Sequence, residues 1–478
     1  MNRKSYKTWL AVAAILLLCL VGCHKTRTRD TEPATSTPIT IREEEVTEQE
    51  ELLIFFQGGG LLITEFASQN PELKFKYVSL EGQGTSIIDM IKVHGYPDIL
   101  ILPGNANIEE LIENEIIAPM DDYYHNDLNL DYDQYFPGVF SVGKIGESMY
   151  ALPLSLNMSY MTLRESQWQQ STLYGLPEEY NFTDLLTAME GEFEKVKEEG
   201  YLWFYEEESK PVDMMLDGDV VSVNGSEVEL DREALEQMIR VLCLQEYNKG
   251  MELDKSKLYL GVSHPALNPA AFEGKYLAGC WGGDVKSAPQ VGVMYAHSAN
   301  RMQFDEETHV VWRPNSEKGE FSAGVQIMAM IGSGSDQKED AYDVIRSMMD
   351  VKIEHWTVPT KTEMDIETFC PVNRERAKEL ITRVDEDKRE NLECFSDGVE
   401  MGGLVIIPKE KLTDSLKAEI ENYLDHITNV YRVDPAVYEG VDAIVKRYMK
   451  EAYSGVLLDD YGACCDEIIL QIEENIGK

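Results

Sequence analysis

Four consecutive residues, Trp281-Gly282-Gly283-Asp284, have the types and spacing best suited to binding a polar molecule. The two glycines would let the backbone approach a ligand closely, because they carry no side chain. The indole ring could stack on an apolar face of a ligand, and the carboxylate could accept hydrogen bonds from hydroxyl groups. The alternative interpretation is a tryptophan of the hydrophobic core that lies in a turn.

Motifs of nucleophilic, metal-dependent or phosphate-binding chemistry are absent from the sequence. It contains no G-x-S-x-G, no H-E-x-x-H and no G-x-x-x-x-G-K-[ST] segment, and its eight histidines show no paired spacing. The 86 acidic residues make chance carboxylate pairs unavoidable, so such pairs alone do not indicate a glycosidase. We therefore predict a binding protein that is not an enzyme and needs no cofactor.

The segment from Asp127 to Asp133 spaces its side-chain oxygens like the start of an EF-hand calcium loop. However, Tyr132 stands where that loop requires glycine, and Gly138 stands where it requires glutamate. We therefore predict a solvated acidic loop rather than a calcium site, and no metal site elsewhere. The eight cysteines include the adjacent pair Cys464-Cys465, and their spacing is not that of a zinc site.

The first 23 residues have the pattern of a secretion signal. The start is positively charged, and an apolar run from Trp9 to Val21 follows that is too short to span a bilayer comfortably. The segment Leu20-Val21-Gly22-Cys23 resembles the bacterial lipobox. This resemblance implies that residues 1–22 are a lipoprotein signal peptide and that acyl chains such as palmitate anchor Cys23. The alternatives are an ordinary signal peptide with a chance cysteine, or an uncleaved anchor.

The composition restricts what the exported part can bind. A chain of 478 residues suggests about three domain-sized units, and hydrophobic residues at 43% are sufficient for packed cores. The formal net charge of −43 disfavours binding to nucleic acid, which is itself polyanionic. Residues 23–50 are rich in Thr, Ser, Pro and Glu and lack apolar periodicity, so we predict a disordered tether there.

Strands and helices are predicted to alternate from residue 52 onward. Short apolar runs at 52–57, 73–78 and 96–102 are typical of strands, and helical patterns separate them. This alternation indicates βαβ units and a mainly parallel sheet, whose ligands would bind beyond the carboxyl ends of the strands. Gln57 and Gly58 follow the first strand and Asn105 follows the third. These three residues are candidates for ligand binding, with turn formation as the alternative.

Several segments, in order along the chain, resemble the bacterial extracellular solute-binding proteins of carbohydrate ABC importers. The segments are Asn70-Pro71-Glu72-Leu73-Lys74, Pro97-Asp98-Ile99-Leu100, Ala118-Pro119-Met120-Asp121-Asp122, Gly146 to Ser155, Phe272 to Gly279, Ser322 to Met330 and Pro371-Val372-Asn373. The resemblance implies an α/β, two-lobed, periplasmic-binding-protein-like (type II) fold with a cleft. Segments of the chain would cross between the lobes near residues 150–160, 315–325 and 360–372.

The resemblance also implies lobe boundaries and a mode of action. Lobe one would comprise residues 51–155 and 322–360, and lobe two would comprise residues 156–321 and 361–478. The lobes would close on a solute, in particular an oligosaccharide, and deliver it to ABC transporter permease subunits. The protein would be a monomer on the extracellular face of the plasma membrane, anchored there by its lipid.

The site residues implied by this resemblance combine aromatic faces with planar polar groups, which sugars require. Trp281, Asp284 and Trp203 would bind the solute from the second lobe, and for Trp203 a core position is the alternative. Asn157 would bind it from the first crossing between the lobes, with a hinge residue that bonds backbone as the alternative. Trp312 is a further aromatic candidate, for which a core position is the favoured interpretation.

Three features depart from the family pattern, and the first is Met120 in place of the commoner leucine. Cys280 stands beside the candidate tryptophan, and residues 220–230 are predicted to form a β-hairpin with a type I′ turn at Asn224-Gly225. Two other functions stay open beside solute transport. One is a surface lipoprotein hydrolase that acts on carbohydrate, and the other is a surface binding lipoprotein that takes no part in transport.

Overall fold

Apolar runs of the sequence form strands, and amphipathic segments form helices around them. The computed structural model describes residues 51–80, 86–157, 159–164, 168–169, 171–199, 211–224, 227–250, 294–296, 308–352, 370–383 and 414–476. The lipidation candidate Cys23, the tether, and the site candidates Trp203, Trp281 and Asp284 lie outside these residues.

The elements up to residue 164 begin with the predicted alternation of strands and helices. They are β1 (Leu52–Phe56), α1 (Gly60–Gln69), β2 (Phe75–Ser79), α2 (Ile87–His94), β3 (Ile99–Pro103), α3 (Ile108–Glu113), β4 (Ile117–Ala118), α4 (Asp121–Tyr124), β5 (Lys144–Ile145), β6 (Ser148–Met149), β7 (Ala151–Asn157) and β8 (Tyr160–Arg164). Helix α1 ends before Pro71, which cannot continue a helix. Ser86 is the N-cap of helix α2, and its hydroxyl accepts a hydrogen bond from the Asp89 N–H at 3.2 Å.

The rest of the described chain is richer in helices. Its elements are α5 (Phe182–Glu199), α6 (Pro211–Asp217), β9 (Val221–Asn224), β10 (Glu227–Leu230), α7 (Arg232–Gly250), β11 (Met294–Ala296), β12 (Thr308–Trp312), β13 (Phe321–Gly332), α8 (Lys338–Met348), β14 (Cys370–Pro371), α9 (Arg374–Arg383), α10 (Asp414–Asp425), β15 (Ile427–Tyr431), α11 (Pro435–Tyr438), α12 (Val441–Tyr453) and α13 (Gly462–Asn475). Among the described residues, no helix is both long and apolar enough to cross a bilayer.

The central sheet is mixed rather than mainly parallel. Its strand order is β14-β7-β13-β3-β1-β2, with β4 and β15 also paired to β13. Strands β1, β2 and β3 are parallel, as the alternation with helices predicts. Strand β13 instead runs antiparallel to both of its neighbours in that order, β3 and β7. The difference arises because β13 enters the sheet from residues more than 150 positions along the chain, where the local strand–helix pattern carries no information.

Two large hydrophobic cores form in the described residues, beside a small cluster of Phe55, Val78 and Met90. The first, which we call the sheet core, covers the central sheet and includes Ile54, Ile101, Leu154, Met330 and Tyr423. The second, which we call the helical core, lies among α5, α6, α7, α12 and α13 and includes Leu185, Leu235, Met238, Val445 and Ile468. Two cores agree with a two-lobed fold, because each lobe must bury apolar surface of its own.

The chain passes between elements of the two cores at three described places. Strand β7 leads into β8, which pairs with β12, and Val311 of β12 packs in the helical core. Strand β12 leads into β13, and β15 leads into α11. The first two passages lie near the predicted crossings. The third prediction, near 360–372, lies partly outside the described residues, and Cys370 and Val372 pack in the sheet core.

Described residues of the carboxyl-terminal third of the chain pack in both cores. Ala377, Ile420 and Val430 belong to the sheet core, although the predicted boundary places residues 361–478 in lobe two. Residues of α11, α12 and α13 belong to the helical core. The lobe boundaries stay a prediction, and the packing favours assigning the described residues of 370–430 to the first lobe.

The predicted hairpin is present. Strands β9 and β10 pair antiparallel, with Asn224 opposite Glu227. The two-residue connection is therefore 225–226, one residue later than predicted, and it lies outside the described residues.

Candidate functional site

The carboxyl ends of three strands meet at one edge of the central sheet, which we call the site edge. Strands β1 and β3 are parallel, with Phe56 opposite Ile101. Strands β3 and β7 are both antiparallel to β13, which lies between them, so they point the same way. Gln57 follows β1, Asn105 follows β3, and Asn157 ends β7. The topology therefore brings three of the predicted site residues to the same edge.

Side chains at the site edge are accessible. Gln57 and Asn105 are exposed, and Gly58 and Asn157 are partly buried. The Gln57 N–H donates to the carbonyl of Ile101 at 2.8 Å, and Gly58 has a φ of 80°, which glycine adopts without strain. A turn and a binding role are compatible here, because the turn uses backbone atoms whereas binding would use exposed side chains.

Gly104 lets β13 approach the end of β3 closely. Its N–H donates to the carbonyl of Gln326 at 2.7 Å. A Cβ atom at residue 104 would lie only 1.9 Å from the carbonyl oxygen of Val325, which is backbone and cannot rotate away. Asn105, the next residue, is therefore held beside β13 by a backbone contact that only glycine permits.

Gln326 is a residue of the site edge that the sequence analysis missed. The pairing of β13 with β7 is irregular between Val325 and Ile327, so Gln326 has no direct counterpart in β7. The fully buried Ser155 hydroxyl donates to Oε1 of Gln326 at 3.1 Å. The available signal was an isolated amide in the otherwise apolar segment 323–332.

A buried ion pair joins the segments that run between the two cores. Asp217, at the end of α6, accepts hydrogen bonds from Arg313 at 2.5 Å and from the Tyr431 hydroxyl at 2.6 Å. Arg313 lies between β12 and β13, and Tyr431 ends β15, so one carboxylate holds both segments. Burial, and after it the charge of Asp217, raises the pKa of Tyr431 well above its ordinary value. The phenol therefore stays protonated and remains a donor.

Arg432 connects the site edge with the carboxyl-terminal helices. Its guanidinium donates to the carbonyl of Ala106 at 3.3 Å and lies 3.4 Å from a carboxylate oxygen of both Glu109 and Asp434. Ala106 and Glu109 follow β3, whereas Asp434 is the N-cap of α11, which packs in the helical core through Tyr438. The sequence analysis did not identify this residue, because Ala106 and Glu109 are more than 300 positions away from it.

The acidic loop uses its carboxylates for protein contacts. Asp127 accepts a hydrogen bond from the Tyr342 hydroxyl at 3.2 Å and lies 3.4 Å from Nε of Arg346. Asp131 accepts a hydrogen bond from the N–H of Asp133 at 3.2 Å. The predicted solvated loop is thus tied to α8 at its start. In the part of the chain that the structure describes, no group of three His, Cys, Asp or Glu side chains is arranged to hold a metal.

The described cysteines are buried free thiols: Cys243, Cys370, Cys464 and Cys465. Burial raises the pKa of Cys243 and Cys370 to about 12 and that of Cys465 to about 11. Since the thiolate is the nucleophile, thiols that stay protonated at neutral pH are poor nucleophiles. These four residues therefore offer no activated thiol.

Trp312 is a core residue. Its ring stacks on Tyr423 with the centroids 4.0 Å apart, and only 6% of the residue is exposed. The core interpretation of this tryptophan is confirmed.

Solved structures that resemble this chain include solute-binding proteins. The sugar-binding protein MalE of Xanthomonas citri is 12% identical with a TM-score of 0.53, over 89% of this chain and 97% of that one. A family 1 extracellular solute-binding protein of Alicyclobacillus acidocaldarius is 9% identical with a TM-score of 0.52, over 90% and 99% of the two chains. No protein-family model and no curated protein matches the sequence. The likenesses confirm the predicted two-lobed α/β fold class and, at the level of the fold, the family resemblance.

Proposed function

We propose that this chain is a lipid-anchored extracellular substrate-binding protein that captures an oligosaccharide and delivers it to an ABC transporter permease. The observation that carries the proposal is the site edge, where the carboxyl ends of β1, β3 and β7 bring exposed or partly exposed amides together. Amide side chains offer both donors and acceptors, which suit the hydroxyl groups of a sugar. The similar fold of a sugar-binding protein supports the same ligand class.

The proposed mechanism is closure of two lobes around the solute. Gln57, Gly58, Asn105 and Asn157 would bind from the site edge, and Trp203, Trp281 and Asp284 would complete the site. The segments at Arg313 and Tyr431 would bend, while the buried Asp217 keeps them attached to α6. Ligand would shift the population toward the closed state, because it contacts both lobes only there.

The proposal also includes how the protein is attached to the membrane. Residues 1–22 would be removed, Cys23 would carry the lipid, and residues 23–50 would hold the folded part away from the membrane. With a formal net charge of −43 the chain is repelled by anionic lipid, so a tether is needed to keep it near a permease. We propose that the chain acts as a monomer and performs no chemistry.

A binding screen tests this proposal. The whole chain, purified in a detergent that carries no sugar, is heated with a panel of neutral oligosaccharides and with peptides as the control class. A ligand at 100 times its dissociation constant stabilises a protein by ~2.7 kcal/mol, which raises the melting temperature measurably. We expect at least one oligosaccharide to do so, and Trp281→Ala to weaken that binding without changing the melting temperature of the free chain.

The two rival functions predict different outcomes of the same screen. A hydrolase would release shorter sugars from the panel, which chromatography detects. A binding lipoprotein outside transport would bind without ligand-dependent closure, so X-ray scattering would record the same radius of gyration with and without sugar. A panel without any binding sugar, or turnover of a sugar, overturns the proposed function.

A further inference from the structure

Gln326 is the one amide in a strand segment that is otherwise made of apolar residues and glycine. The residues on either side of it, Val325 and Ile327, are buried, whereas Gln326 is partly exposed. Desolvation of an amide is unfavourable unless its hydrogen bonds are replaced. Packing of the sheet core therefore does not explain a polar side chain at position 326.

A β-bulge places Gln326 at the site edge. Val325 pairs with Leu156 and Ile327 pairs with Ser155, so the two neighbours of Gln326 face consecutive residues of β7 and the glutamine is the extra residue. A bulge re-aims the extra side chain and often lies next to a functional site. On the other side of β13, the Gln326 carbonyl accepts the N–H of Gly104, the residue before Asn105.

The amide of Gln326 is oriented by a buried hydroxyl. Ser155 is 0% exposed, and its Oγ donates to Oε1 of Gln326 at 3.1 Å. Since a carboxamide has its acceptor and donor on opposite branches, a bond at Oε1 directs the Nε2 donors away from Ser155. An oriented donor group beside Asn105 is suited to a hydroxyl oxygen of a neutral ligand.

We propose that Gln326 contacts the solute directly, by donating a hydrogen bond from Nε2 to a ligand hydroxyl, and that Ser155 positions it. This inference rests on the proposed function and adds a fourth strand, β13, to the ligand-binding surface. It also explains the bulge, because a regular strand would pair position 326 with β7. The preferred ligand class is a neutral polyhydroxylated molecule, since both Gln326 and Asn105 are uncharged.

The test uses the whole chain and the tightest-binding sugar of the screen. Gln326→Ala and the longer Gln326→Met remove the amide, and Met retains the side-chain volume in case Ala destabilises the strand. We expect each to weaken binding, measured by calorimetry, by ~3–10-fold, the effect of one neutral hydrogen bond. The matched control is Gln134→Ala, which removes an exposed glutamine next to the acidic loop and leaves the affinity unchanged.

A double-mutant cycle tests the role of Ser155. Ser155→Ala alone is expected to weaken binding by ~2–5-fold, because the amide loses its orienting bond. In the Gln326→Met background the same substitution is expected to change the affinity no further, since residues that act through one another are not additive. A purely structural Ser155 would weaken binding equally in both backgrounds, which contradicts the positioning role.

The binding results distinguish a failure of the role of Gln326 from a failure of the proposed function. If the unsubstituted chain binds no sugar, the proposed function fails and the role of Gln326 fails with it. If the chain binds a sugar and folded Gln326→Met binds it with the same affinity, only the role of Gln326 is wrong.

Discussion

The sheet core and the helical core hold their backbones in place by different means. In the sheet core, hydrogen bonds between neighbouring strands fix backbone atoms, so Gly104 and Gln326 are located by a direct bond between them. In the helical core, the helices contact one another mainly through side chains, and three buried thiols lie among them. The comparison indicates that Gly104 and Gln326 are placed by a backbone bond near strand ends, whereas residues of the helical core are placed by side-chain packing.

The largest expected loss of stability follows from removing Asp217, whose carboxylate binds segments that run between the two cores. Asp217→Ala removes the carboxylate that pairs with the buried guanidinium of Arg313 and the nearer acceptor of the Tyr431 hydroxyl, which also donates to the carbonyl of Asp213 at 3.3 Å. Removing one partner of a buried ion pair costs about 3–5 kcal/mol of unfolding free energy. Urea denaturation followed by circular dichroism measures the loss.

The control is an exposed ion pair. Lys318 lies 3.5 Å from Asp184, with side-chain exposures of 60% and 37%. Exposed pairs contribute ~0–1 kcal/mol, so Lys318→Ala should change the unfolding free energy by no more than that. Equal losses for both variants would show that Asp217 does not join the regions.

A matched pair of core substitutions tests whether the two cores unfold together. Ile101 of the sheet core and Ile468 of the helical core are both fully buried, so Ile101→Ala and Ile468→Ala should each cost about 2–5 kcal/mol. We expect each variant to shift one common transition, because Asp217 links the cores. Calorimetry that resolves two transitions, with Ile468→Ala lowering only one, would show that the helical core unfolds separately.

The buried thiols of the helical core should make the free energy of unfolding decrease at alkaline pH. An unfolded thiol has a pKa near 8.5, whereas burial raises the pKa of Cys243 to about 12 and that of Cys465 to about 11. Their contribution to stability is complete below about pH 8.5 and is lost as the pH rises toward the folded values. The loss is at most ~1.4 kcal/mol per thiol and pH unit.

Urea midpoints between pH 8 and 9.5 measure this effect, below the range in which unfolded tyrosines ionise. We expect the midpoint to fall across this range, and to fall less steeply when Cys243 and Cys465 are both replaced by alanine. Cys370→Ala, in the sheet core, should reduce the steepness by about half as much. An unchanged slope in the double variant would contradict the assignment of alkaline sensitivity to the helical core.

The smallest effect on stability is expected at the site edge itself. Asn105 is exposed, so Asn105→Ala should change the unfolding free energy by less than ~0.5 kcal/mol. The same variant should weaken sugar binding several-fold, because it removes a donor and an acceptor. Unfolding and binding measured on one preparation separate the two quantities, and a variant that loses stability but not affinity would make Asn105 a turn residue only.

Local patterns predicted the elements of the sheet core that are close in sequence. The apolar runs before Gly58 and Asn105 gave β1 and β3, and their order along the chain gave the parallel pairing. The antiparallel insertion of β13 was not predictable in this way. Strand pairing over more than 150 residues depends on which apolar surfaces fit together, and a single sequence does not record that fit.

The candidate site was predictable where it follows from strand ends and not where it follows from tertiary contacts. Gln57, Asn105 and Asn157 are found by the rule that ligands bind beyond carboxyl ends of strands. Gln326 enters the site through a bulge, and Arg432 through bonds to Ala106 and Glu109. A bulge or a long-range ion pair leaves no characteristic spacing of residues in the sequence. The sequence alone therefore does not indicate which residues Gln326 and Arg432 contact.

The contact between Gly104 and Val325 limits how this sequence can diverge. Two main chains touch there with no side chain between them, so the space lacks room for even one methyl group. Gln57 and Asn105 can be exchanged during adaptation to a new solute, since their side chains lie in solvent. Residue 104 cannot be exchanged in the same way. We therefore expect glycine to be retained there while neighbouring residues change the specificity.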